Sequence, residues 1–213
     1  MTLTSEAFES RVAPNGRVLV VDDDPLMRSA LRRLFVAAGL QVEAYASANE
    51  LLEQADLKRT AVLLLDVRMP SMDGLQLQKA LTDCKVDLPI LFLSGMSDIP
   101  TAVAAMRNGA CDFVEKPFDN DDLVARVRRA MAQGIATRER EGDRRHIEQR
   151  LASLTQRERE VLDVIVTGKT SKETARLVGT SHRTVEIHRA HIMAKMQAES
   201  LADLVRMHLL ARS

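Results

Sequence analysis

"RVLVVDDDPLMRSALRRLF", Arg17 to Phe35, sets three consecutive aspartates, Asp22, Asp23 and Asp24, at the end of a short apolar run. Like charges this close repel, so a strand end that collects them implies a positive group to offset them. Downstream, Leu26, Ala30, Leu31, Leu34, Phe35 and Ala38 recur at helical spacing, and Gly39 suits a C-terminal cap. Asp24 stands before Pro25, a residue suited to the first helical position, so Asp24 reads as the helix N-cap. Asp22 and Asp23 are left without a local explanation.

The same alternation continues along the chain. "QVEAYA", "AVLLLD", "PILFLS" and "DFVEK" read as strands. "SANELLEQA", "DGLQLQKALTDC", "DIPTAVAAMRNGA" and a stretch from about Asp119 read as helices. Strands alternating with helices imply an α/β fold, here a five-stranded parallel sheet covered on both faces. In such doubly wound sheets the functional crevice lies beyond the C-terminal strand ends. Those ends carry Asp22 and Asp23, then Asp66, Ser94 and Lys116. Three carboxylates, a hydroxyl and an ammonium are thus expected on one sheet edge. Clustered carboxylates suit a hard divalent cation, and Mg²⁺ takes one or two of them plus water and phosphate oxygens.

Composition sets the frame for the rest. The 213 residues carry no net charge, but residues 1–118 hold 12 basic and 16 acidic side chains, and four of the five His lie at or beyond His182. An acidic first part and a second part tolerant of anionic partners follow. Trp is absent and aromatics make up 3%, so the cores must be aliphatic. Cys84 and Cys111 show neither metal-ligand nor redox spacing, which points to a reducing, cytoplasmic setting. No apolar run approaches the roughly 18 residues of a membrane span, and no signal peptide is visible.

Residues from about Arg17 to Gly134 resemble the receiver domain of two-component response regulators. "VVDDD", "LLLDVRMPSMDG", "LFLSG" and "FVEKPF" occur in order and at suitable spacing. The resemblance implies that a histidine kinase phosphorylates Asp66, with Asp22, Asp23 and Asp66 holding Mg²⁺ together with the main-chain carbonyl of Arg68. It implies that Ser94 bonds the phosphoryl group, that Lys116 pairs with it, and that Phe113 is the aromatic switch. Lys116-Pro117 matches a bond that is typically cis in the family. The chemistry agrees with these roles. A carboxylate attacks an anionic phosphohistidine poorly unless Mg²⁺ and Lys116 neutralise the phosphoryl oxygens. Ser94 moving toward the new acceptors would leave space for Phe113, a two-state packing element. The plain alternative for Phe113 is an ordinary core residue. Arg68 and Met96 offer no carboxylate or amide to position water, so self-dephosphorylation is expected to be slow.

Residues 1–15 read as a flexible tail, 16–134 as the receiver, 135–153 as a helical linker and 154–213 as a second, all-α domain of four helices. The linker reads either as one long helix, able to self-pair as a short coiled coil, or as a solvated and frayed segment. In the last part, Thr155 with Glu158 and Thr170 with Glu173 have capping-box spacing, and Ser181 caps "HRTVEIHRAHIMAKM". A tight turn at Gly179 between two helices makes a helix-turn-helix. "LTQREREVLDVIVTGKTSKETARLVGTSHRTVEIHRAHIMAKM" is similar to the LuxR-type DNA-binding domain, and the whole chain to the FixJ-type branch of response regulators.

That resemblance implies binding of promoter double-stranded DNA, homodimerisation on phosphorylation through Ala102–Arg107 and Asp112–Glu115, and contact with RNA polymerase. His182, Arg183, Glu186, Arg189 and Lys195 are the candidate DNA contacts. His188 and His191 read equally as packing residues. Thr174 and Thr180 stand where the family often has apolar residues, and Glu186 where it often has Lys. Two other readings remain open at this point. A haloacid dehalogenase-like phosphohydrolase would need an acid where Arg68 stands. A receiver could instead carry a protein- or RNA-binding output domain.

Overall fold

The computed structural model describes residues 17–57, 61–95 and 99–212. The tail expected at 1–15, and Met96, lie outside the described residues. The chain divides into two compact units between Thr137 and Arg138.

The first unit is built on strands β1 (Arg17–Val21), β2 (Gln41–Tyr45), β3 (Val62–Asp66), β4 (Ile90–Ser94) and β5 (Asp112–Glu115). They pair in parallel in the order β2-β1-β3-β4-β5. Alternate residues supply two cores. Leu19, Val21, Leu63, Leu65 and Phe92 face one side, where α2 (Ala48–Gln54), α3 (Gly74–Asp83) and α4 (Ile99–Arg107) contribute Leu51, Leu77, Leu81 and Ala105. Val18, Val20, Val62, Leu64 and Leu91 face the other, against Leu31 and Phe35 of α1 (Pro25–Ala37) and Leu123 and Val127 of α5 (Asn120–Ala152). The near-continuous apolar strands are what burial on both faces requires.

Local signals place the elements as their residues suggest. Asp24 accepts a hydrogen bond from the Leu26 amide at 2.8 Å, with Pro25 opening α1. Asp73 and Gln76 form a capping box at the start of α3. Gly74 follows, and a Cβ there would lie 2.4 Å from the Asp66 carbonyl oxygen, so only glycine lets α3 approach β3 this closely. Gly134 serves packing as well: a Cβ would meet the Pro89 ring at 2.5 Å.

Helix α5 runs for 33 residues, Asn120–Ala152. Ile147 and Leu151, which the sequence assigns to the linker, pack in the second core with Leu154.

The second unit contains α6 (Gln156–Ile165), α7 (Ser171–Val178), α8 (His182–Met196) and α9 (Leu201–Leu210) around Val161, Leu162, Ile165, Val185, Ile192, Met196 and Leu204. Both expected capping boxes form, at Thr155–Glu158 and Thr170–Glu173. Gly179 closes α7 in the left-handed region at φ 68°, which turns the chain into α8. Thr174 is fully buried, and its hydroxyl has no partner among the described residues. A buried hydroxyl without a partner costs free energy, so Thr174→Val is expected to stabilise this unit by about 1 kcal/mol. Urea denaturation would show this as a higher midpoint at unchanged slope.

Candidate functional site

The C-terminal strand ends bring Asp22, Asp66, Ser94 and Lys116 together. Asp22 is 1% exposed and Asp66 8%. The Lys116 Nζ donates to Asp22 Oδ2 at 2.8 Å and to Asp66 Oδ1 at 2.6 Å. This ammonium is the positive group that the aspartate run demanded. The second Asp22 oxygen accepts from the Asp24 amide at 2.9 Å, and the second Asp66 oxygen from the Arg68 amide at 2.8 Å. Burial pushes the Asp66 carboxyl above the usual aspartate range, against the pull of Lys116. Burial alone would lower the Lys116 ammonium, but its bonds to Asp22 and Asp66 hold it above its ordinary value.

Asp23 is exposed beside this pair. Arg28, which the sequence did not single out, donates from α1 to the Asp22 carbonyl at 2.7 Å and so fixes the turn that carries the aspartates. A cleft of about 270 Å³ opens over the pair, lined by Asp66, Val67, Arg68, Ser94, Gly95 and Lys116. Ser94 pairs in register with Glu115, and Phe113 lies two residues back on the same strand. The Phe113 ring is half-buried and sits 6.3 Å from that of Phe92, centroid to centroid. Lys116-Pro117 is cis.

Among the described residues no group of three His, Cys, Asp or Glu side chains is gathered into a ready cage. The donor chemistry nevertheless fits a Mg²⁺ that keeps several waters. The carboxylates of Asp22, Asp23 and Asp66 are hard oxygen donors at one rim, and a cage made wholly of protein is not required.

In the second unit, Val185, Ile192 and Met196 turn one side of α8 into the core. His182, Arg183 and Glu186 are exposed and Arg189 is half-buried. His182 Nε2 lies 3.8 Å from Glu186 Oε1, one helical turn away. Lys195 behaves differently from the others: its Nζ donates to Glu158 Oε2 at 2.7 Å. Glu158 also accepts from the Thr155 amide at 2.8 Å and is 4% exposed along its side chain. The Lys195 hydrogen bond, with Thr155 in support, holds the Glu158 carboxyl down at about 2. This candidate DNA contact is therefore engaged inside the domain, tying α8 to α6. His188 is half-buried, and its Nδ1 has no partner among the described residues, whereas His191 is exposed near Glu158.

Comparison with known proteins bears on the whole chain. The response regulator receiver domain matches residues 18–128, and the luxR family of bacterial regulatory proteins matches residues 152–208. The transcriptional regulatory protein FixJ of Rhizobium meliloti is 41% identical over 192 residues, spanning 90% of this chain and 94% of that protein. The chain is a response regulator of the FixJ type. Among solved structures, response regulator StyR aligns with a TM-score of 0.81 at 36% identity, covering 92% of this chain and 99% of StyR. Full-length FixJ from B. japonicum aligns with a TM-score of 0.59 at 39% identity, covering 92% of this chain and 97% of that one.

A FixJ-type regulator is a receiver coupled to a DNA-binding domain in a two-component system, and this chain has both parts in that order. The phosphohydrolase reading falls with this finding, and so does an output domain of another class. No helix among the described residues is long and apolar enough to cross a membrane.

Proposed function

We propose that Asp66 accepts a phosphoryl group from a histidine kinase in the cytoplasm, and that this modification promotes dimerisation and promoter binding. The observation that carries the reading is Lys116, bonded at once to Asp22 and Asp66 beneath the cleft. In the transfer, the N–P bond of the phosphohistidine breaks as the Asp66 O–P bond forms. The bond electrons return to the imidazole nitrogen, and the product is an aspartyl phosphate. Lys116 can exchange its bond to Asp66 for one to a phosphoryl oxygen while keeping Asp22, so its charge stays at the reacting centre. Ser94 on the cleft wall can donate to another phosphoryl oxygen. A bound Mg²⁺, held by Asp22, Asp23, Asp66 and the Arg68 carbonyl, would supply the rest of the positive charge.

An apolar groove of about 520 Å³ between α1 and the segment after β5 supports a helical kinase partner. Met27, Leu31, Leu34, Pro117 and Phe118 line it, and Lys116 belongs to both groove and cleft. Arg68 offers no group to orient water, so the phosphoryl group is retained and self-dephosphorylation is slow.

The coupling to dimerisation runs through Ser94 and Phe113 to α4 and β5, where Ile99, Val103 and Met106 expose apolar surface. Sedimentation of the chain with Mg²⁺ and beryllofluoride tests this step. A shift from monomer to dimer is expected, and an unchanged monomer contradicts it.

In the dimer, α8 enters the major groove of promoter DNA. His182, Glu186 and Arg189 face base edges and Arg183 holds phosphate. Lys195 positions the helix through Glu158, and RNA polymerase is the further partner at the promoter. Glu186→Lys replaces a repulsion by an attraction toward DNA. Its non-specific affinity is expected to rise, and base preference at one position to change by about 1–3 kcal/mol. DNA selection with the variant checks this; higher affinity with an unchanged selected site would make Glu186 an outward charge.

A further inference from the structure

Gln78 is 1% exposed, an amide inside the apolar stripe of α3 that holds Leu77 and Leu81. Its Nε2 donates to the Ala105 carbonyl at 3.1 Å and to the Asn108 carbonyl at 3.2 Å. Both acceptors belong to the turn that ends α4. There the Ala110 amide bonds the Ala105 carbonyl at 3.0 Å, and Gly109 adopts φ 91°. In this helix-closing turn Gln78 gives the Ala105 carbonyl a second donor and bonds the Asn108 carbonyl from outside the helix. The Gln78 Oε1 is buried with no partner among the described residues. A leucine would fill the same space without that orphan oxygen, so packing does not account for the amide. What the amide uniquely supplies is a grip on the end of α4.

The other end of the same helix touches the phosphoacceptor strand. Gly74 donates its amide to the Val67 carbonyl at 3.0 Å, and a Cβ on it would lie 2.4 Å from the Asp66 carbonyl oxygen. Gly74 and Gln78 are one helical turn apart. The main chain at Asp66, helix α3 and the α4–β5 junction therefore form one tightly packed series.

We propose that Gln78 is a positioning residue that fastens the end of α4 to α3, so that a shift of the Asp66 main chain reaches α4 and β5 through α3 as well as through Ser94 and Phe113. The inference rests on the reading of Asp66 as phosphoacceptor and of α4 and β5 as the dimerisation face. It adds a second mechanical connection between them, carried by an amide with two donors.

The test uses the full chain and Gln78→Leu, which keeps volume and removes both donors; Gln78→Met serves if the first variant misfolds. Phosphoryl uptake from acetyl phosphate with Mg²⁺ is expected to match the parent. Amide exchange at residues 109–111 is expected to quicken about ten-fold, because the turn loses its outside anchor. The increase in self-association produced by beryllofluoride is expected to fall about ten-fold. Unchanged exchange at 109–111 overturns the fastening. Quickened exchange with an undiminished dimer response overturns the coupling. If the parent itself shows no dimer response, the dimerisation reading fails. Exchange in the parent then decides the inference: beryllofluoride should alter protection at 109–111, the variant should lack that change, and an equal change in both overturns it.

Discussion

Asp66→Asn is expected to take up no phosphoryl group from acetyl phosphate and Mg²⁺, whereas the parent is expected to take up one per chain. Asparagine keeps the shape of the side chain and can still accept from the Arg68 amide, which lies 2.8 Å from Asp66 Oδ2. It lacks the nucleophilic carboxylate, and its neutral amide loses the charge attraction to Lys116. The variant therefore folds, and thermal melting is expected to show its receiver intact. Phosphoryl incorporation measured by intact mass separates the cases. Undiminished labelling of the variant would move the acceptor elsewhere.

The second large effect lies in the DNA-binding unit. Lys195→Met leaves the Glu158 carboxylate, 4% exposed, without the ammonium that bonds it at 2.7 Å. Removing one partner of a buried pair leaves an uncompensated charge, and full burial costs 3–5 kcal/mol. Lys195 is 37% exposed, so water softens the loss, and about 2–3 kcal/mol is expected here. Melting of the full chain, followed by amide exchange in α6 and α8, would register it.

The pH dependence follows from the same group. Glu158 is held down at about 2, below its unfolded value. Its contribution is complete above the ordinary carboxylate range near pH 4.3 and is lost as pH falls through about 2. Without Lys195 the carboxyl loses the bond that lowers it most, so the penalty of the variant should shrink as pH falls from the ordinary carboxylate range near 4.3 toward about 2. A penalty that stays constant across that window would mean that charge is not its cause. Were Lys195 a phosphate contact instead, the variant would keep its stability and lose about one unit of salt slope in DNA binding.

The sheet and its edge were legible because four of the five strands end on, or one residue before, a group that has no reason to be there unless it meets the others. Asp22, Asp66, Ser94 and Lys116 are far apart in sequence, yet parallel alternation brings every strand end to one side. Glu158 was legible only as half of a capping box. That local role satisfies the residue on paper, and nothing in periodicity announces a second partner 37 residues away. Gln78 escaped for a related reason: a polar residue beside Leu77 reads as the solvated side of an amphipathic helix until α4 is seen to cover it. Gly134 gave no sign of its packing role, since only the fold brings Pro89 against it. Ile147 and Leu151 read as linker because their apolar stripe is too short to declare which core it joins.

Control of DNA binding by phosphorylation of Asp66, as proposed, can be measured directly. The most direct measurement is a titration of DNA selected by the phosphorylated protein, using the parent and Asp66→Asn, each with and without acetyl phosphate and Mg²⁺. The phosphodonor is expected to tighten binding by the parent about ten-fold or more and to leave the variant unchanged. Equal affinity of the parent in both conditions, or an equal gain by the variant, would contradict it.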